Sequence, residues 1–136
     1  MSVETSIEAP IAVVWRFLTV GRGAWWPEMH FDAVVGSPLI ETWIDEGRQA
    51  SATGSVTRCE EPELLGFSWI EPSWAHPLDV MIRLDEDWQS TLVTLTEAGF
   101  SRGQTPSSLP AKHEEGWRYH LMRLKRANEG EPVDVQ

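Results

Sequence analysis

With 11 Lys and Arg against 21 Asp and Glu, the 136-residue chain carries a formal charge of −10, which repels phosphate backbones and argues against a nucleic-acid partner. Cys59 is the single cysteine, which leaves no intramolecular disulfide and no thiolate metal cluster. No stretch approaches the ~18 apolar residues of a membrane span, and the start Met-Ser-Val-Glu-Thr shows no basic region followed by an apolar run, so a cytoplasmic location is expected.

Val3, Thr5 and Ile7 alternate with Glu4, Ser6 and Glu8, which predicts a first strand with one buried face. Pro10 is expected at the first position of a helix whose stripe is Val14, Trp15, Phe17 and Leu18, closed by Gly21 and Gly23. Ala24-Trp25-Trp26 reads as a second short helix stopped before Pro27. Strand character resumes at Ala33-Val34-Val35, and Gly36-Ser37-Pro38 marks a bend. Strands follow over 39–44 and 50–59, around a hairpin turn at Asp45-Glu46-Gly47. After a turn at Glu61-Pro62-Glu63 comes a strand over 64–70, then a proline-rich loop over 71–77 that carries Trp74 and His76. Leu78, Val80, Ile82 and Leu84 alternate with polar neighbours, Asp85-Glu86-Asp87 is expected to turn the chain, and a Thr-rich strand covers 90–96.

The stretch Ser107 to Ala127 predicts the organising helix. Ser108 is its expected N-cap and Pro110 sits in the first turn. Leu109, His113, Gly116, Trp117, His120, Leu121 and Leu124 form its apolar face, with Lys112, Glu115, Arg118, Arg123 and Arg126 on the other side. Gly116 in mid-helix suggests a close approach to whatever lies beneath. Strand, helices, about six strands and a long helix make an α+β domain with an antiparallel sheet over 1–128, and a tail over 129–136 expected to fray.

Four stretches resemble the START-like, helix-grip superfamily, in particular the homologues of the heat-shock-protein-90 ATPase activator. They are Ile7-Glu8-Ala9-Pro10 with Val14-Trp15; Gly54-Ser55-Val56 leading to Glu61-Pro62-Glu63-Leu64-Leu65-Gly66-Phe67-Ser68-Trp69; Ser90 to Thr96 closing with Gly99-Phe100; and Gly116-Trp117 with Leu121 and Leu124-Lys125. Two positions depart from the pattern: Gly36-Ser37 stands where a glycine pair is usual, and Glu97 where a histidine is common. The resemblance implies a curved sheet of six to seven strands wrapped around the C-terminal helix, with a cavity between them that in relatives holds apolar small molecules. It implies no cofactor.

Phased on that pattern, with Leu65, Phe67 and Trp69 inward, Glu41 and Glu97 point into the cavity as candidate general bases or anchoring acceptors. Eight tryptophans in so short a chain suit a site for a flat apolar ligand as well as they suit a core. Trp26, Trp43, Phe67, Trp69, Trp74, His113, Trp117 and His120 are the candidate ligand-binding residues, whereas Trp15, Trp25 and Trp88 read as packing. His113 and His120 are too far apart along a helix to share one metal, and no metal site is expected. No G-x-S-x-G elbow, P-loop, G-x-G-x-x-G or H-E-x-x-H is present, and Cys59 reads as an inert thiol. The favoured expectation is a module that binds an apolar or aromatic small molecule. The rivals are a cyclase- or hydrolase-type enzyme using Glu41 or Glu97, and a chaperone-associated domain that docks a protein partner; a homodimer is left open by the sequence.

Overall fold

A computed structural model of the chain describes residues 1–100 and 109–134. Seven strands form one antiparallel sheet: β1 (Ser2–Ile7), β2 (Met29–His30), β3 (Pro38–Asp45), β4 (Arg48–Glu60), β5 (Leu64–Ile70), β6 (Leu78–Asp87) and β7 (Ser90–Ala98), in the order β1-β7-β6-β5-β4-β3-β2. Helix α1 (Ile11–Leu18) follows β1, and a single 3-10 turn covers Arg22–Ala24. The long helix α2 (Leu109–Asn128) lies on the concave face of this curved sheet, which is the helix-grip arrangement expected.

Period-two alternation decides the inner face. Leu65, Phe67 and Trp69 on β5, Val80 and Ile82 on β6, and Val93 and Leu95 on β7 are all buried, and they meet Trp117, Leu121 and Leu124 of α2 in one core. Cross-strand pairs continue that face from strand to strand: Val56 opposite Phe67, Phe67 opposite Val80, Ile82 opposite Leu95. Gly54 pairs with both Leu39 and Trp69. A Cβ built on it lies 1.8 Å from the Ser68 carbonyl oxygen, so only glycine lets β4 pass β5 there. At the β1 edge, Lys125 Nζ of α2 donates to the Ser6 carbonyl at 2.6 Å, and the Glu8 backbone N–H donates to Glu129 Oε2 at 2.9 Å.

Local expectations shift in five places. Pro10 is the N-cap of α1 rather than its first residue, which spares its missing N–H equally well. The second short helix is the 3-10 turn, earlier than Ala24-Trp25-Trp26, because the Arg22 side chain bridges Thr19, Met29 and Phe31 carbonyls there. Ala33-Val34-Val35 is not a strand: Val34 N–H bonds back to the Asp32 carbonyl, and Val34 and Val35 are exposed. Asp85-Glu86-Asp87 stays in β6, and the turn falls on Trp88-Gln89, with Trp88 at φ 59 and 97% exposed. The tail makes contacts through Asp134, which pairs with Arg123 at 2.7 Å, while Val133 packs on the core. The expected Ser108 cap lies outside the described residues.

Candidate functional site

Glu97 sits on the inner face of β7, opposite Val80 on β6, and is 1% exposed. Three nitrogen groups converge on its carboxylate. Trp69, two strands away on β5, gives its indole N–H to Oε2 at 2.7 Å. Trp117 gives its indole N–H to Oε1 at 2.9 Å, and His113 places Nδ1 at 2.7 Å from the same oxygen. His113 and Trp117 are four residues apart, so both project from one side of α2 onto the same strand residue. A carboxylate buried this deeply requires such partners, and indoles can only donate. The arrangement therefore fixes the rotamers of two tryptophans and one histidine together. Trp74 and Phe100 pack against the His113 ring at centroid distances of 5.3 and 5.5 Å.

In front of this hub lies an open cleft of about 190 Å³, lined by Glu41, Trp43, Trp69, Glu71, Lys112, His113, Gly116, Trp117 and His120. A second groove of about 280 Å³ shares Glu41, Trp43, Gly116 and His120 with it and adds Trp26, Glu28, Tyr119 and Arg123. Gly116 lies on the boundary of both. A Cβ there meets nothing within 4 Å, so the expected close approach is corrected: the glycine leaves space open rather than admitting a neighbour. The β3 pattern supplies Glu41 and Trp43 to one wall, and the α2 pattern supplies His113, Trp117 and His120 to the other.

The polar groups of the cleft are electrostatically distinct. Trp26 Nε1 donates to Glu41 Oε2 at 2.9 Å. Burial nevertheless pushes the Glu41 carboxyl up to about 7, against that hydrogen bond and with the charges of Glu28 and Glu71 adding to the rise. Glu71 is also raised, by burial first and by Asp45, while His113 works the other way. Burial, helped by the Arg123 charge, lowers His120 to about 4. Its ring lies 4.4 Å from Trp26, and its Nδ1 is buried without a hydrogen-bond partner among the described residues. At neutral pH the cleft thus holds a neutral imidazole beside a carboxyl close to its own midpoint.

Of the candidate residues, Trp26, Trp43, Trp69, His113, Trp117 and His120 line the two grooves. Phe67 lies behind them, edge-on to Trp69 at 5.4 Å, and Trp74 backs His113 and Trp69 rather than lining the cleft. Both candidate carboxylates face inward, but Glu97 is sealed behind Trp69 and Trp117 while Glu41 meets the open space. Glu71 was missed, although it continues the alternation Leu65, Phe67, Trp69 by one step. Lys112, assigned to the outer side of α2, reaches the cleft at its rim. Trp15 and Trp25 are buried in the core. Among the described residues no three His, Cys, Asp or Glu side chains are grouped to hold a metal, and no helix is long and apolar enough to cross a membrane.

The sequence family described as Activator of Hsp90 ATPase homolog 1-like protein matches residues 8–129. CalU16 from Micromonospora echinospora is similar at 26% identity and a TM-score of 0.75, over 96% of this chain and 74% of that one. DynU16, described as a putative protein in the dynemicin biosynthetic locus, is similar at 26% identity and a TM-score of 0.79, over 99% of this chain. This chain spans 49% of DynU16, about half its length. The Aha1 dimer from Colwellia psychrerythraea shares the fold at 19% identity and a TM-score of 0.75, over 95% of each chain. No curated protein sequence matches.

Proposed function

We propose that this chain, which belongs to the Activator of Hsp90 ATPase homolog 1-like family, binds a flat aromatic small molecule between its sheet and its C-terminal helix. The observation that carries this reading is the cleft itself: Trp43, Trp69, Trp117 and His120 wall it, and Glu41 supplies a carboxyl able to donate or accept near neutral pH. Aromatic walls with a few placed polar groups are what such a site needs, and the two grooves, of about 190 and 280 Å³, share Glu41, Trp43, Gly116 and His120 in their walls. Likeness to a protein of the dynemicin biosynthetic locus supports a ligand of biosynthetic origin.

Two measurements test it. Native mass spectrometry of the protein purified gently from its host is expected to show an added mass that disappears on denaturation. Titration with the apolar fluorophore N-phenyl-1-naphthylamine is expected to saturate, and Trp43→Ala to weaken it. A bare mass together with no saturable dye binding would refute the reading.

A second reading is supported by Glu41 alone. A carboxyl at about 7 in an open cleft is matched to general acid–base catalysis. In that case the molecule retained by Glu41→Gln differs in mass from the one released by the unaltered protein. Identical masses would leave binding as the function.

A further inference from the structure

We propose that Glu97 and His113 act as a dyad that presents His113 Nε2 to the cleft, and that the ligand carries an acidic hydroxyl, a phenol or an enol, to meet it. This inference rests on the binding reading above and names the ligand's polar group. His113 Nδ1 lies 2.7 Å from Glu97 Oε1, and the two indole N–H groups of Trp69 and Trp117 donate to the same carboxylate. Both indoles can only donate, so the Glu97 oxygens serve as acceptors and Nδ1 is assigned the donor N–H. That fixes the tautomer of the neutral ring and leaves Nε2 as its acceptor. His113 lines the cleft, and no described residue hydrogen-bonds its Nε2.

A phenol O–H donates to that nitrogen directly. If the O–H bond breaks, its proton moves to Nε2 and its electron pair stays on oxygen, giving a phenolate and an imidazolium held between two anions. The complex contains the same number of protons in either form, so recognition is independent of where the proton rests. A ligand that arrives as a carboxylate meets Glu41 and Glu71 as well as Lys112 in the same cleft. A hydroxyl brings no charge with it. An ether or a bare ring leaves the nitrogen lone pair facing apolar atoms.

The test is calorimetric titration of the full chain with 2-naphthol and with 2-methoxynaphthalene. A hydrogen bond of this kind makes 2-naphthol bind about tenfold or more tightly. His113→Phe removes that preference, so that the variant binds the two probes with equal affinity. This variant keeps one indole donor on each Glu97 oxygen, which favours its folding. In parallel, 15N NMR of labelled histidine is expected to show neutral His113 protonated on Nδ1, with Nε2 shifting on addition of 2-naphthol alone. Equal affinities for the two probes overturn the hydroxyl inference and leave the binding reading standing. Neutral His113 protonated on Nε2 overturns the dyad. If neither probe binds, the hydroxyl inference falls, and the binding reading is decided by the native mass and the dye titration.

Discussion

Replacing Glu97 by Gln keeps the volume of the side chain and changes one acceptor into a donor. With the amide nitrogen in place of Oε2, it faces the Trp69 N–H at 2.7 Å; in place of Oε1, it faces both Trp117 at 2.9 Å and His113 at 2.7 Å. The first orientation keeps the partners of Oε1, and it leaves two buried polar groups unsatisfied, the Trp69 indole N–H and the Gln NH2. At about 1–3 kcal/mol for each such group, the gross loss is roughly 2–6 kcal/mol. Removing a buried charge offsets part of this, so a net loss of about 2–4 kcal/mol is expected. Urea unfolding followed by tryptophan fluorescence reads it as a lower midpoint with an unchanged slope. Combining Glu97→Gln with His113→Phe should give a coupling energy of about 1 kcal/mol or more, since the two side chains share one hydrogen bond. A change within about 0.5 kcal/mol, the range of an inert surface substitution, would refute the hub as the organiser of the inner face.

Gly116→Ala should stabilise the helix by about 0.5–1 kcal/mol, because the added Cβ meets open space. Gly116→Leu should preserve the fold and weaken dye binding by more than about tenfold, since its side chain enters both grooves. Thermal unfolding and titration separate these two effects. Gly54→Ala should cost about 3 kcal/mol or more, read as a lower urea midpoint or loss of soluble protein, because its Cβ is placed 1.8 Å from the Ser68 oxygen. Glu41 is raised from 4.5 to about 7 in the folded state, so it retains a proton that the unfolded chain releases. Its contribution, on the order of 1–3 kcal/mol, is fully present below pH 4.5 and lost as pH rises through 7. Glu41→Gln should therefore gain stability relative to the unaltered protein between those two pH values, as measured by urea midpoints across the range.

The strands were legible wherever one face is buried and the other wet. Leu78 to Leu84 alternates without a break, and β5 was delimited at both ends by turn residues. Ala33-Val34-Val35 misled because apolar residues of the same type can sit exposed in a turn, where a local hydrogen bond replaces the ladder. Trp88 shows the converse problem. Nothing in the run Asp85-Glu86-Asp87 tells the chain to continue as strand, and a tryptophan is an unusual occupant of a positive-φ hairpin position. Gly116 was readable as special but not in sense, because mid-helix glycine is equally consistent with a tight contact and with a space. Only the position of the facing strand β3, set by pairings over a dozen residues away, decides between them.

The carboxylates make the same point at the level of chemistry. Glu41, Glu71 and Glu97 are one residue type on alternate strands of the sheet or their ends, and the sequence phases two of them inward without distinguishing their roles. What separates them is distance from α2. Glu97 lies directly under the helix, where Trp117 and His113 can reach it, and becomes a sealed acceptor for two indoles with His113 Nδ1 as its third partner. Glu41 lies at the far side of the helix face, where Gly116 withholds a side chain, and has one donor from Trp26. With too few partners to hold the charge and too little water to solvate it fully, it takes up a proton near pH 7. The same missing side chain thus opens the cleft and leaves its carboxyl ready to trade a proton with whatever enters.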